Sequence, residues 1–171
     1  LLGLISSYTQ YDARGDHING DMFRVGGEGE YFFERITLGV NAGYQGQDVD
    51  DGGFGGGDVR FYPTDFLLLA AGVQAGDRTT VANLDAEFLP GFHSLPGMSV
   101  FGNFGFGDND YEQVLFGIRY YFGKRKSLIR RHREDDPRNP SVRDIGPNLR
   151  EYQQKRDRLI ASGQTQPPPL Q

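Results

Sequence analysis

The sequence predicts an all-β fold in which eight antiparallel strands form a barrel, followed by an irregular, partly helical tail. Three observations predict it. Apolar and polar residues alternate through most of the first 123 positions, turn residues interrupt that alternation repeatedly, and the composition changes abruptly near Gly123. The first 123 residues hold six Arg, no Lys and 17 acidic residues, a formal charge of −11, whereas the last 48 hold 12 basic and six acidic residues, or +6. Nearly all the Gly and Phe lie in the first part, so only that part can bury a core. The expected division is a barrel over 1–123 and a basic tail over 124–171.

The first strand reads from Leu2 to Tyr11. Between Phe23 and Phe33, one face takes Phe23, Val25, Gly27, Gly29, Tyr31 and Phe33, and the other takes Arg24, Gly26, Glu28, Glu30 and Phe32. The next segment repeats the pattern, with Ile36, Leu38, Val40, Ala42 and Tyr44 set against Thr37, Gly39, Asn41, Gly43 and Gln45. Further strands read as Gly57 to Tyr62, Phe66 to Ala75, Val81 to Leu89, Met98 to Phe106 and Glu112 to Phe122. Typical lengths of roughly 9–11 residues suit a tilted strand crossing a hydrocarbon core. Glu34-Arg35 and Pro63-Thr64-Asp65 are tight turns at one end, with the longer Pro90 to Gly97 beside them. At the other end, Asp12 to Asp21 and Gly46 to Gly56 read as long polar loops, and Asp77 to Thr80 and Gly107 to Tyr111 as short ones.

Alternation alone fits a soluble barrel as well as a membrane one, so other features decide. No run of 18 apolar residues exists, which excludes a spanning helix and leaves a barrel as the only membrane option. Arg24, Glu28, Glu30, Asp58, Arg60, Asp85, Glu87 and Arg119 lie on the polar face, interleaved with glycine and without a single Lys. A narrow lumen filled by Arg–carboxylate pairs explains that choice, because the guanidinium fork satisfies several buried acceptors at once. Aromatic residues gather at strand ends, as in Tyr8 and Tyr11, Tyr31 and Phe33, Phe61 and Tyr62, and Phe104 and Phe106. They suit interfacial girdles, although no Trp is present. The absence of Cys excludes disulfides and thiol chemistry. Leu1-Leu2-Gly3-Leu4-Ile5 lacks a basic n-region and is expected to start a strand in a processed chain.

The segment Leu115-Phe116-Gly117-Ile118-Arg119-Tyr120-Tyr121-Phe122 resembles the assembly signal on the final strand of bacterial outer-membrane barrels. Gly117, Tyr120 and Phe122 match that pattern; Leu115 stands where it expects a polar residue. With eight alternating segments, the first 123 residues resemble the small eight-stranded outer-membrane proteins of the A and X type. The resemblance implies an integral outer-membrane barrel in contact with lipid, lipopolysaccharide and the assembly machinery, with the tail in the periplasm.

An eight-stranded lumen is filled by side chains, so the charged face reads as a structural network rather than an ion path. Lipid-modifying catalysis would need a nucleophile and a base at the membrane edge, but His17, His93 and His132 fall in three separate regions and no serine lies in an outer loop. No catalytic residue and no cofactor is therefore expected. Asp48, Asp50 and Asp51 resemble the start of a calcium loop, yet Val59 stands where a bidentate Glu belongs, which leaves weak cation binding at most. Gly52 to Gly57 leads into a strand rather than a helix, which argues against a phosphate loop. Lys124, Arg125, Lys126, Arg130, Arg131 and Arg133 form a basic run without interleaved aromatics. It reads as a collar for headgroups or a dock for an acidic periplasmic partner, and not for nucleic acid. A helix over 149–161 is expected, capped by Asn148 and too poor in apolar residues to fold alone. The expected role is a structural or scaffold barrel that anchors its tail, with a place as a subunit of a larger envelope assembly open to it. A porin-like or solute-binding barrel is the alternative, and a lipid-modifying enzyme a third reading.

Overall fold

The structure is a computed structural model that describes residues 1–13, 18–47, 51–76, 80–91, 97–108, 111–123 and 125–135. Eight strands form one antiparallel sheet in which each strand pairs with its sequence neighbours. They are β1 (Leu2–Ala13), β2 (Ile18–Phe32), β3 (Ile36–Gln47), β4 (Asp51–Thr64), β5 (Leu67–Ala75), β6 (Thr80–Phe88), β7 (Met98–Gly107) and β8 (Tyr111–Tyr120). The order β1 to β8 is a simple meander, as short connections between consecutive alternating segments require.

Two expected loops are largely ladder. Of the loop expected over Asp12 to Asp21, Asp12 and Ala13 belong to β1 and 18–21 to β2. Of the stretch read as the loop Gly46 to Gly56, residues 46–47 belong to β3 and 51–56 to β4, with Gly46 opposite Asp51 and Gly43 opposite Phe54. Glycine has no side chain to reveal an alternating pattern, but it keeps its donor and acceptor, and the ladder uses both. Among the described residues four aromatic rings lie over cross-strand glycines: Phe23 over Gly46, Phe54 over Gly43, Phe101 over Gly117 and Phe116 over Gly102. Such pairs help to pin register.

The sheet's two faces differ in chemistry. One carries Leu4, Val25, Leu38, Val40, Val59, Leu69, Val73, Leu84, Phe104 and Ile118, all exposed. The other buries Arg24, Thr37, Gln45, Arg60, Glu87 and Ser99. The sheet curls around this polar face, because Tyr62 at the end of β4 and Tyr121 just after β8 reach the same imidazole, that of His132. The expected closure into a barrel is not complete: among the described residues no ladder joins β1 to β8.

After β8 the chain turns back under the sheet through Gly123, whose φ of +99° a side chain would strain. It then forms a short helix, α1 (Leu128–Arg130), which runs into a π-helical turn at Arg131–Asp135. The helix expected over 149–161 lies outside the described residues.

Candidate functional site

The candidate site is the concave face and the tail segment that covers one end of it. The eight charged residues singled out on the polar face sort into separate groups. Arg60 joins Glu30 (2.5 Å) and Asp58 (2.6 Å), linking β4 to β2. Glu30 Oε1 takes that contact, while Oε2 is buried without a hydrogen-bond partner among the described residues. Arg24 donates from Nε and Nη2 to Gln45 Oε1 (3.1 and 2.7 Å) and lies over the Phe54 ring. Asn103 donates to Asp85 (2.8 Å). Glu28 stands over Gly3.

Glu87 and Arg119 organise the last group, with four residues outside the expected set. Ser99 Oγ donates to Glu87 Oε1 (2.6 Å), Tyr121 donates to the same oxygen (2.8 Å), and Arg119 Nη1 donates to Oε2 (3.0 Å). The His132 Nε2 atom lies 2.8 Å from the Tyr121 hydroxyl and 3.3 Å from Glu87 Oε2, and its Nδ1 lies 3.2 Å from the Tyr62 hydroxyl. Since Tyr121 spends its proton on Glu87, it accepts from the Nε2–H of His132. One imidazole thereby bridges β4, β6 and the end of β8.

Ser99, Glu87 and His132 are the three residue types of a nucleophilic triad, but their order is wrong for one. The carboxylate sits between the hydroxyl and the imidazole, so the base has no contact with the nucleophile it would deprotonate. The arrangement satisfies buried polar groups and gives Ser99 no activation. His17 and His93 lie outside the described residues.

The tail segment is fixed on both its apolar and polar sides. Leu128 is fully buried with Tyr62, Leu68, Ala70, Leu89 and Tyr121, and Ile129 packs against them. Its backbone N–H donates to Asp65 O (2.7 Å). Arg133 Nη2 donates to the carbonyls of Phe33 (2.6 Å) and Ile36 (2.9 Å), and its Nε to Thr37 Oγ1 (3.2 Å). Arg131 is 1% exposed and lies over the Tyr121 ring.

Of the basic run, then, Arg131 and Arg133 turn inward. Lys126 pairs with Asp135 (2.5 Å) and Glu134 (3.1 Å), and Arg130 pairs with Glu134 (2.9 Å). Hydrogen bonds from Arg130 and Lys126 hold the Glu134 carboxyl down to about 2. Bonds to Asp135 and Glu134 push the Lys126 ammonium up. Arg125 is exposed, and Lys124 lies outside the described residues.

The proposed assembly-signal residues fall in two places. Gly117 is on the concave face under Phe101, while Tyr120 and Phe122 stack edge to face on the outer side, with centroids 5.0 Å apart. Asp51 is paired within the β3–β4 ladder, and Asp48 and Asp50 lie outside the described residues. Among the described residues no group of three acidic or histidine side chains is placed to hold a metal ion.

Sequence reasoning missed His132, Tyr62, Tyr121 and Ser99. The signal available for Ser99 and Tyr121 was parity, since both fall in step with the inward positions of β7 and β8. His132 gave no such signal, because it stands inside a charge run. No protein-family model matches the chain, and no curated protein matches it significantly.

Proposed function

We propose that this chain is an integral outer-membrane β-barrel with a structural, non-enzymatic role, anchoring its C-terminal tail on the periplasmic side. One observation carries the reading: the sheet is polar and charged where it is buried and apolar where it is exposed. Arg60, Arg24 and Glu87 are buried, while Leu, Val, Ile and Phe cover the opposite face from β1 to β8. In water this arrangement is costly on both sides, because apolar surface stays wet and charge is desolvated. In a bilayer the outer face meets acyl chains, and the inner face needs only internal partners. A shallow outer groove of about 520 Å³, lined by Leu38, Val40, Val59, Val73 and Leu84 over the small residues Gly57, Ala71 and Ala82, is filled by acyl chains in that setting. The outer-membrane location draws further support from the resemblance of the last strand to an assembly signal.

The tail segment favours an anchor over a pore. It covers the tight-turn end of the concave face, and its side chains are bonded to β3, β4 and β6. The test is migration of detergent-extracted protein on a denaturing gel, with and without heating, together with conductance across planar bilayers. A folded, heat-modifiable band that requires detergent and gives no steady conductance is expected. A protein that stays dispersed without detergent would overturn the membrane reading, and a stable open channel would replace the anchor with a pore.

A further inference from the structure

The concave face is closed at the tight-turn end and roomier in its middle. Thr37, Tyr62 and Ser99 are fully buried at that end, and Leu68, Glu87 and Leu89 are 2–4% exposed. Four residues farther along the same strands, on the same face, Asn41, Asp58, Asn83 and Asn103 are only half-buried. An eight-stranded lumen is ordinarily filled by its side chains. Here Asp58, Gln74 and Asn83 lie over the glycines directly opposite, Gly39, Gly56 and Gly105, so closely that a Cβ on any of those glycines would stand within 3.0 Å of them. Side chains laid along the wall leave room in the middle of the face, beside amides and carboxylates, and water fills such a setting. At the loop end Arg24, Gln45, Phe54 and Tyr111 are buried again, so a polar belt lies between two closed layers.

The two closures are built differently. At the loop end the strands hold one another, with Arg24 bonded to Gln45 and stacked on Phe54. At the tight-turn end the buried residues meet the tail segment 125–135: Thr37 takes Arg133, Tyr62 and Glu87 take His132, and Leu68 and Leu89 pack with Leu128. The segment is no part of the ladder. It crosses this end from β8 to the turn between β2 and β3, resting on Asp65 O through the Leu128 N–H and on Phe33 O and Ile36 O through Arg133. An element held by one apolar pocket and a few polar bonds opens at a lower free energy than the ladder beneath it.

We propose that the segment is a removable stopper for this belt. Seated, it separates the belt from the water on the tail's side. Released, it opens the belt to water and small hydrophilic solutes while the sheet stays intact. The inference rests on the membrane reading given above, in which lipid covers the outer face and the margins of the sheet and leaves water only the two ends. It adds to the anchor a second state, in which a tail drawn off its seat uncovers a polar surface.

The sequence has no cysteine, so single substitutions report without background. Asn41→Cys and Asn83→Cys place a thiol in the belt, and Val40→Cys places one beside it on the outer face. Each is read in lipid nanodiscs as the rate of reaction with a small water-soluble methanethiosulfonate. The rate is compared between the native segment and Leu128→Ala/Arg133→Gln, whose unseating is followed by amide exchange over 125–135. Arg133→Gln alone takes the place of that pair if the pair gives no folded, heat-modifiable band. The belt thiols should react slowly with the native segment and at least about 30-fold faster with the weakened seat, as loss of a buried leucine implies, while Val40→Cys stays slow. Fast reaction in the belt with the native segment would show another way in and overturn the proposal. Slow reaction with the segment unseated would mean a belt that is filled or closed without it, and a segment that stays seated in the weakened variants is no removable stopper; either result overturns the proposal as well. Fast reaction of Val40→Cys marks failure of the membrane reading instead.

Discussion

Replacing Leu128 by Ala tests whether the tail segment is seated by packing. The side chain is fully buried among Tyr62, Leu68, Ala70, Leu89 and Tyr121, so truncation removes its contacts and leaves a cavity. Substitutions of this kind cost about 2–5 kcal/mol. The cost falls on docking of the segment rather than on the sheet, since the ladder from β1 to β8 does not pass through Leu128. The fraction of undocked segment should therefore rise about 30- to 4,000-fold. Amide hydrogen exchange over 125–135 measures this, because the Leu128 N–H is tied to Asp65 O at 2.7 Å and the Arg131 N–H to Ser127 O at 3.0 Å. Exchange should accelerate by that factor in this peptide and stay unchanged in β4–β6. A change of less than threefold would refute the reasoning and mean that the polar contacts of Arg133 and His132 hold the segment without it.

Other perturbations separate the remaining contributions. Arg60→Leu takes the guanidinium from Glu30, whose side chain is 9% exposed, which should cost about 3–5 kcal/mol in denaturant unfolding from micelles, with Arg60→Leu/Glu30→Leu recovering part of it; equal losses in the single and double variants would contradict the pairing. Gly117→Ala puts a Cβ 2.5 Å from the Phe101 ring and should destabilise by about 1–3 kcal/mol, with a favourable coupling to Phe101→Ala in a double-mutant cycle; additive effects would show that the ring does not cover the glycine. The Glu134 carboxyl is held at about 2, below its ordinary 4.5, so its contribution to the folded helical turn of the tail is complete above about pH 4.5 and fades as the pH falls toward 2. A carboxyl resonance titration with its midpoint near 4.5 would show that the Arg130 and Lys126 contacts do not persist in solution.

The strands were legible because the side chains report the period directly. In β3, Leu38, Val40 and Tyr44 alternate with Thr37, Asn41 and Gln45, and the ladder follows that reading residue by residue. The start of β4 was not legible, since Gly52, Gly53, Gly55, Gly56 and Gly57 carry no polarity, and strand and loop look alike in such a stretch. The polar face was legible as a set of residues but not as a pattern of partners. Parity places Glu28 and Glu30 side by side on one face, yet Arg60 takes Glu30 alone, which depends on the curl of the sheet. The tail segment was the least legible part. Only Leu128 and Ile129 are apolar within a run of charge, and the acceptors for Arg133 are backbone carbonyls about a hundred residues earlier, which no local pattern records.

The most direct test of the central claim is a nitroxide scan along β3, one label at a time from Ile36 to Gln45, in vesicles, comparing relaxation by oxygen with relaxation by a water-soluble nickel complex. At Ile36, Leu38, Val40, Ala42 and Tyr44 oxygen should dominate, and at Thr37, Gly39, Asn41, Gly43 and Gln45 neither relaxant should reach the label well, which gives a two-residue period with the apolar face in lipid. Strong nickel relaxation at Leu38 and Val40 would place that face in water and contradict the account.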